Sequence, residues 1–345
     1  MLTVHDTTAG PPVAILGTGV GLPDQVIDNE TVAGPAGVTP EWIRSRTGIR
    51  TRRWAKPDQA TSDLAVAAAR AALADAGLRA ADLSLVLVAT STPDSPQPPT
   101  ASLVADELGA PPGIVAFDVN AVCSGFVFAL VTAERLLRAG GGHALVLGAD
   151  VYSRILDPAD RRTAVLFGDG AGAVVLGPGA RPSLAAARLA GYPEAHGLIR
   201  VPAGGSRIPA SADSLDAGLH HFAMEGRAVR GFVLDVVAPA ARAFLRDCGV
   251  GPADLAAFVP HQANPNLVAD LAAAVGVPAG RTATGGGEHG NTGAAAVPIA
   301  LHDARAALRP GDLVLLAGFG GGMAAGFALL RWPGPDRLET TDGHR

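Results

Sequence analysis

Apolar runs and helix-like segments alternate along this chain, and the same alternation occurs twice. In the first half, an apolar run within 81–90 is followed by a helix-like segment at 102–109. In the second half, an apolar run within 253–261 is followed by a helix-like segment at 266–272. Each pair predicts a buried strand, a loop and then a helix. Self-similarity of this kind indicates two halves with duplicated structures.

A second repeated pair extends the duplication. A helix-like segment at 124–138 precedes the apolar strand 144–148, and a helix-like segment at 294–308 precedes the apolar strand 312–317. Continuous apolar strands that alternate with helices are typical of a mostly parallel sheet with both faces covered. Two such halves predict an α/β protein of five layers, in the order α/β/α/β/α.

The boundary between the halves falls near 177–182, which has the Gly and Pro content of a linker. It divides the chain into an N-terminal half, 1–180, and a C-terminal half, 181–345. The last residues, 332–345, are polar and rich in Pro and Gly, and we predict a flexible tail there. Ligands bind at the carboxyl ends of strands in α/β sheets, so equivalent loops of the halves are expected to meet across a pseudo-two-fold axis.

Composition and charge narrow the class of protein. The chain has 345 residues, of which 48% are hydrophobic, and this is enough for a large buried core. The formal net charge of −5, without a basic cluster, argues against nucleic acid as a partner. No apolar run approaches the roughly 18 residues that a membrane span needs, and the N-terminus lacks a signal-peptide pattern. We therefore expect a cytoplasmic protein without a membrane segment.

Cys123 lies where an apolar run ends and a helix-like pattern begins. Unpaired N–H groups and the positive end of a helix dipole favour thiolate over thiol, so Cys123 is the first candidate for a nucleophile. The alternative is that it is a small buried core residue, as most buried cysteines are. Cys248, the only other cysteine, is predicted to be structural. Two cysteines suit a reducing compartment, and neither has metal-ligand spacing, so we predict no metal.

Three further segments, 260–264, 288–293 and 318–322, also follow or precede predicted strand ends. They contain a histidine, an asparagine and a run of glycines. A nucleophilic thiolate requires a base or charge partner, an orienting amide and N–H donors where an oxyanion develops. These segments supply all three groups if they meet Cys123 at the pseudo-axis.

Six motifs, in order, resemble those of the thiolase-fold condensing enzymes. Among these the resemblance is to β-ketoacyl-acyl-carrier-protein synthase III and its relatives in polyketide and other specialised pathways. It spans 13–331 and implies a thiolase-like five-layer fold of two duplicated halves. The motifs are Trp42-Ile…Arg46-Thr-Gly-Ile-Arg50, Ala-Val-Cys123-Ser-Gly, Phe167-Gly-Asp-Gly-Ala-Gly172, His261-Gln-Ala-Asn264, Gly290-Asn-Thr-Gly293 and Phe319-Gly-Gly-Gly322.

The resemblance implies a reaction in two steps. Cys123 would attack an acyl-CoA and hold the acyl group as a thioester, while its own N–H and that of Gly321 stabilise the oxyanion. His261 and Asn291 would then hold the carbonyl of a malonyl thioester, carried by CoA or by acyl carrier protein, as it loses CO2. The carbanion would attack the acyl-Cys123 thioester. Acyl-CoA is a substrate here, and no cofactor is implied.

The resemblance also implies a CoA site and a subunit partner. Trp42 and Arg161 match an indole and a guanidinium that clamp the adenine, with Arg46 nearby. Asn264 and Gly226 match residues beside the pantetheine arm. A homodimer is expected, because strands of the family pair across a subunit interface.

Two departures from the family pattern favour a specialised pathway. The helix after Asn264 contains Asp270 and neither Lys nor Arg, whereas relatives that dock a carrier protein have basic residues there. The segment 93–99 matches one that reaches the partner's acyl pocket in relatives, and here it consists of polar residues and proline. The starter acyl group and the acceptor stay open at this level.

Three alternative functions stay open as well. The first keeps the acyl-Cys123 intermediate but transfers the acyl group to an oxygen or nitrogen of a small molecule, with His261 as general base. The second is a nicotinamide-dependent oxidoreductase, suggested by Gly17-Thr-Gly-Val-Gly21 after an apolar strand; Pro23 and the absence of an evident ribose-binding acid argue against it. The third is a catalytically silent partner subunit.

Overall fold

The computed structural model describes residues 2–5 and 10–333. Within these ranges the chain forms fourteen strands. They are β1 (Leu2–His5), β2 (Val13–Gly21), β3 (Val26–Asp28), β4 (Thr51–Arg53), β5 (Leu85–Ala89), β6 (Val115–Val119), β7 (Ala144–Asp150), β8 (Gly170–Pro178), β9 (Leu184–Gly191), β10 (Ile199–Arg200), β11 (Ala223–Met224), β12 (Leu255–Pro260), β13 (Leu313–Gly320) and β14 (Ala324–Arg331).

The same ranges contain eleven α-helices, and a π-helical segment, Val233–Val237, joins the seventh to the eighth. The helices are α1 (Asn29–Ala33), α2 (Pro40–Thr47), α3 (Thr61–Ala76), α4 (Thr100–Glu107), α5 (Gly125–Gly140), α6 (Ala212–Asp216), α7 (Gly226–Phe232), α8 (Ala238–Asp247), α9 (Pro265–Val275), α10 (Gly286–His289) and α11 (Ala296–Ala304). None of these helices is long and apolar enough to span a membrane.

Two five-stranded sheets form the centre of the fold. The first has the order β2-β8-β7-β5-β6 and the second the order β1-β9-β14-β13-β12. In the first, β7, β5 and β6 are parallel; in the second, only β12 and β13 are. The prediction of mostly parallel sheets was therefore wrong, and both sheets are mixed. The reason is that chain reversals such as the one between β13 and β14 place antiparallel neighbours on one side of each parallel core.

The two sheets repeat one plan, as the sequence predicted. Strands β5 and β7 of the first sheet correspond to β12 and β13 of the second, and the helices that follow the first strand of each pair are α4 and α9. The place of β6 is taken in the second sheet by a short parallel bridge between Phe258 and Thr282.

The helices complete five layers in the predicted order α/β/α/β/α. Helices α3 and α4 cover the outer face of the first sheet, and α8 and α9 cover the outer face of the second. Helices α5 and α11 lie between the sheets, where residues of both sheets pack against them. Small side chains make this close packing possible: Ala65, Ala68, Ala69 and Ala72 of α3 are all completely buried.

The segment 177–182 connects the sheets, since β8 ends at Pro178 and β9 begins at Leu184. Strand β1 crosses this division: it belongs to the N-terminal half of the chain but pairs antiparallel with β9 of the second sheet. Of the predicted tail, 332–345, all but two residues lie outside the described residues. Trp332 itself does not belong to a tail, because its N–H donates to the carbonyl of Asp312 and its carbonyl accepts from Gly311.

The glycines of the Gly17-Thr-Gly-Val-Gly21 motif lie in β2, directly against α3. A Cβ at Gly17 would lie 2.6 Å from the carbonyl oxygen of Ala72, and one at Gly19 would overlap the carbonyl oxygen of Ala68. Close contact between strand and helix therefore requires glycine at these positions. The motif that suggested a nicotinamide-dependent oxidoreductase is explained by this packing.

We predict that Gly19→Ala lowers the free energy of unfolding by about 1–3 kcal/mol, because the added methyl group overpacks the contact with α3. Urea unfolding followed by circular dichroism measures the change. Gly34→Ala is the matched control, since Gly34 has helical backbone angles and no atom lies within 4 Å of the added Cβ. Equal stability of the two variants would contradict the packing explanation.

Candidate active site

The two central helices begin next to each other. A 3₁₀ turn, Val122–Ser124, leads into α5, and an equivalent turn, Gly293–Ala295, leads into α11. A Cβ at Gly125 would lie 3.8 Å from the Cβ of Ala294, and the N–H of Ala294 donates to Asp150 at the end of β7. The structure thus brings together the two loops that the repeat placed at a pseudo-two-fold axis.

Cys123 lies in the first of these turns and is buried. Val122 before it has a φ of 48°, in the left-handed region that a β-branched residue rarely adopts. The backbone there is therefore held under strain, as is common at functional sites. Cys123 packs against the end of β13 at Gly320, where a Cβ would lie 2.6 Å from the Cβ and 3.1 Å from the Sγ of Cys123.

Burial, with a smaller contribution from the nearby carboxylate of Asp150, raises the pKa of Cys123 to about 12. The thiol is therefore protonated at neutral pH when the site is empty. Removal of water from the sulfur therefore opposes the helix start, which was expected to favour the thiolate.

His261 follows β12 and is also buried. Its backbone N–H donates to the carbonyl of Ala317 at 2.7 Å, and its imidazole ring packs edge-on against Phe319 at 5.3 Å between centroids. Burial lowers the pKa of His261 to about 3, so the imidazole is neutral. Its Nδ1 is buried without a hydrogen-bond partner in the structure. Because β12 and β13 are neighbours, His261 and Cys123 both lie at the carboxyl end of this strand pair.

Asn291 precedes α11 and is held on both sides of its backbone. Its N–H donates to the carbonyl of Leu166 and its carbonyl accepts from Gly168, at 2.8 and 3.0 Å. Its side-chain Oδ1 accepts from the N–H of Gly293 at 3.0 Å. This bond fixes the carboxamide, so that the NH2 group is the part left to donate to a ligand.

Gly321 lies in the turn between β13 and β14. A Cβ at this position would lie 3.1 Å from the side chain of Val122, the residue before Cys123. The backbone of Gly321 therefore packs directly on the turn that carries the cysteine.

The residues predicted to bind CoA lie on several segments. Trp42 is half-buried on α2, where it packs with a cluster that includes Val165, and Arg46 is exposed in the last turn of the same helix. Helix α2 contacts α9, whose first turn is capped by Asn264 through a 2.9 Å bond from the N–H of Leu267. This capping role of Asn264 was not predicted.

Arg161 and Gly226 lie on two other segments. Arg161 is exposed in the loop after β7, a few residues before Val165, and Gly226 is the exposed first residue of α7. The structure thus brings α2, which carries Trp42 and Arg46, against α9, which Asn264 caps. Arg161 lies four residues before Val165, which packs with Trp42.

Two residues of the site, Asp150 and Tyr152, were not predicted from the sequence. Asp150 is completely buried where β7 ends, and Tyr152 is buried in the turn that follows. The Tyr152 ring stacks on Phe167 at 4.5 Å between centroids, and Phe222 packs edge-on against both rings. The sequence did contain a signal for Asp150, because this carboxylate ends an otherwise apolar strand and sites form at the carboxyl ends of strands.

Among residues 2–5 and 10–333, no three His, Cys, Asp or Glu side chains are grouped as a metal site would require.

Two family models match this chain. The model of 3-oxoacyl-(acyl-carrier-protein) synthase III matches residues 117–192, and the model of its C-terminal domain matches residues 245–332. Acetoacetyl CoA synthase NphT7 of Streptomyces sp. (strain CL190) is 54% identical over 323 residues, which cover 92% of this chain and 98% of that protein.

Solved structures show the same similarity. The crystal structure of 3-oxoacyl-(acyl carrier protein) synthase III, FabH, from Pseudomonas aeruginosa PAO1 is 38% identical, with a TM-score of 0.84 over 93% of this chain and 98% of that one. The priming β-ketosynthase from the R1128 polyketide biosynthetic pathway is 35% identical, with a TM-score of 0.87 over 95% of this chain and 98% of that one.

Proposed function

Since the chain belongs to the 3-oxoacyl-(acyl-carrier-protein) synthase III family, we propose that it condenses a short acyl-CoA with malonyl-CoA to form a β-ketoacyl-CoA. The protein is an acyltransferase of the thiolase fold that forms a carbon–carbon bond by decarboxylative condensation. The observation that carries the proposal is that the turn of Cys123 adjoins the loop of Asn291 at the starts of the two central helices. His261 follows β12, which pairs with β13, and the end of β13 packs on Cys123.

In the first step, the sulfur of Cys123 attacks the acyl carbonyl. A carbon–sulfur bond to Cys123 forms, the bond to the CoA sulfur breaks, and the thiol proton leaves with the CoA sulfur. The N–H groups of Cys123 and Gly321 stabilise the oxyanion, and the packing of Gly321 on Val122 supports this pairing.

In the second step, a malonyl thioester loses CO2 and its carbonyl oxygen gains negative charge. Neutral His261 and the NH2 group of Asn291 donate to that oxygen, because burial keeps the imidazole uncharged and Gly293 fixes the carboxamide. A carboxylate in either position would repel the enolate. The carbanion then attacks the acyl-Cys123 carbonyl, and Cys123 leaves as a thiolate that takes up a proton from solvent.

The acyl group in this proposal is short. In the turn after β7, the Tyr152 ring stacks on Phe167, which pairs with Asn291, so two aromatic rings stand beside the site. Both rings are buried and closely packed, which leaves little room for a long chain. A relative that is 54% identical is named an acetoacetyl CoA synthase, and acetyl is therefore the acyl group that we propose.

The extender in this proposal is carried by CoA rather than by a carrier protein. On the surface formed by α7 and α9, Arg230 pairs with Asp270 at 2.7 Å, and both side chains are about half exposed. The pair cancels a positive charge that an acidic carrier protein would otherwise meet, and α9 itself has no Lys or Arg. Trp42, Arg46, Arg161, Gly226 and Asn264 are the residues that we propose for CoA.

We also propose a homodimer that pairs through β6. This strand lies at the edge of the first sheet, and all its residues are at least partly exposed, whereas those of neighbouring β5 are buried. Val115 is 53% exposed in the single chain, and an apolar residue on an open strand edge favours pairing with another chain.

The two free cysteines suit a reducing cytoplasm, which we propose as the location.

We predict that Asn291→Ala lowers CO2 release from malonyl-CoA by about 10²–10³-fold, because the enolate loses one of two hydrogen-bond donors. Acylation of Cys123 by acetyl-CoA should change little in this variant. Radiolabelled CO2 release measures the condensation step, and the mass of the intact protein measures acylation. The matched control is Cys123→Ala, which should take up no acyl group.

If the wild-type protein releases no CO2 from any malonyl thioester while Cys123 is still acylated, condensation is wrong. Transfer of the acyl group to an oxygen or nitrogen nucleophile is then the function.

We predict that Asp270→Asn raises the rate with a malonyl-carrier protein by about three- to fivefold, because Arg230 loses the carboxylate that neutralises it. The rate with malonyl-CoA should stay the same. Asp24→Asn is the control, since Asp24 forms a similar exposed pair with Lys56 elsewhere on the surface. A wild-type preference for the malonyl-carrier protein over malonyl-CoA would contradict the proposed extender.

We predict that Val115→Asp converts the homodimer to a monomer, because a charged side chain would replace an apolar one on each of the paired β6 strands. Light scattering after gel filtration gives the mass of each species. Val26→Asp is the control, since Val26 is equally exposed but lies on another strand. A wild-type protein that is monomeric at micromolar concentration would refute the dimer.

A further inference from the structure

Strand β12 ends in a proline that interrupts its hydrogen bonding to the neighbouring segment 281–283. Phe258 of β12 pairs with this segment in parallel: its N–H donates to the carbonyl of Arg281 at 2.7 Å, and its carbonyl accepts from the N–H of Ala283 at 2.9 Å. In such a ladder the next donor to Ala283 is the backbone N–H two residues further along β12. That residue is Pro260, which has no N–H. The backbone pairing therefore stops at this point.

The side-chain amide of Gln262 occupies the place of the missing backbone hydrogen bonds. Gln262 lies two residues after the end of β12 and is 3% exposed. Its Nε2 donates to the carbonyl of Ala283 at 3.1 Å and to that of Pro260 at 2.7 Å, and its Oε1 accepts from the N–H of Gly286 at 3.2 Å. Both hydrogens and the oxygen of the amide thus have partners. Gln262 continues the pairing of β12 past the point where the backbone stops.

This amide connects the two residues proposed to hold the enolate. Gln262 directly follows His261 in the chain. On the other side, Gly286 begins the single turn of α10, and its carbonyl accepts at 3.0 Å from the N–H of Gly290, the residue before Asn291. The path from the Gln262 amide to Asn291 therefore runs through one hydrogen-bonded turn.

Asn291 itself is hydrogen-bonded to the first half of the chain. Its backbone donates to and accepts from the loop before β8, whereas His261 follows β12 of the second half. The separation of the two side chains therefore depends on how firmly the loop 283–291 is held against the end of β12. Gln262 supplies two hydrogen bonds to this loop and one to the strand end.

We propose that Gln262 is a positioning residue, which fixes the Asn291 carboxamide relative to the His261 imidazole so that both donate to the same enolate oxygen. Two donors stabilise one oxygen only when both lie within hydrogen-bonding distance of it, and a displacement of about 1 Å can cost about a hundredfold in rate. Acylation of Cys123 uses neither donor in the proposed reaction. The inference rests on the proposed roles of His261 and Asn291.

Gln262→Met tests this inference, because methionine keeps the length of the unbranched side chain and removes the amide. Release of CO2 from malonyl-CoA by pre-acetylated protein should fall about ten- to thirtyfold. Acylation of Cys123 by acetyl-CoA should stay within about twofold of the wild type. Gln262→Asn keeps an amide on a shorter side chain, so it should lose about three- to tenfold in CO2 release. Thermal unfolding followed by circular dichroism shows that each variant is folded, and the asparagine variant serves if the methionine variant is not.

Gly19→Ala is the matched control, since we expect it to destabilise the protein at the outer face of the first sheet. Its CO2 release and its acylation should change by the same small factor. Equal CO2 release in Gln262→Met and the wild type would overturn the inference. So would equal losses of CO2 release and acylation in Gln262→Met, because the cause would then be general damage to the fold.

Pro260→Ala, added to the Gln262→Met protein, tests whether the amide replaces a backbone hydrogen bond. Alanine restores the N–H at this position. That N–H should point to the carbonyl of Ala283, because the N–H of His261, one residue further, points the opposite way to Ala317 of β13. The double variant should release CO2 about threefold faster than Gln262→Met alone. No recovery would contradict the replacement.

Hydrogen–deuterium exchange separates a failure of this inference from a failure of the proposed function, because it needs no substrate. Peptides that cover 283–291 should exchange at least about tenfold faster in Gln262→Met than in the wild type, since the N–H of Gly286 loses its acceptor. Peptides that cover β5 should not change. Unchanged exchange at 283–291 would overturn the inference. If the wild type releases no CO2 from any malonyl thioester, the proposed function fails, and faster exchange would still show that Gln262 holds this loop.

Discussion

Contact between the starts of the two central helices is the constraint on which the rest of the structure depends. At this contact β7 and the turn before α11 approach so closely that a Cβ at Gly148 would overlap the carbonyl of Ala294, and one at Gly293 would overlap Asp150. Glycine at these positions lets two loops from opposite halves of the chain share one small space. The turn of Cys123 and the loop of Asn291 are neighbours for this reason, and the two sheets are held at a fixed separation around them.

Burial at this contact decides the chemistry of the site. Loss of water raises the pKa of the Cys123 thiol and lowers the pKa of His261, so both groups are uncharged in the empty protein. A neutral imidazole suits donation to an enolate, whereas a protonated thiol needs help as its proton leaves. Dry surroundings thus favour the second half of the reaction and oppose loss of the thiol proton in the first.

Much of the fold was predictable because the halves are duplicated. The correspondence of β5 with β12 and of α5 with α11 follows from repeated apolar patterns, and it is enough to predict that Cys123 and Asn291 lie close together. The mixed sheets were not predictable, because a continuous apolar strand looks the same with parallel or antiparallel neighbours. Trp332 falls within the predicted tail for a similar reason: local composition does not show that its backbone bonds to Asp312.

The order of elements, the duplication, the family resemblance and the three residues proposed for catalysis could all be predicted before the structure, because they depend on patterns among residues close in the chain. The burial that keeps Cys123 protonated and the long-range hydrogen bonds near the site arise only when the chain folds. Ser91 and Tyr152 are 61 positions apart, and Asp150 and Ala294 are 144 apart. No local pattern encodes such distances, and burial, which sets the pKa of each group, exists only once both halves have packed together.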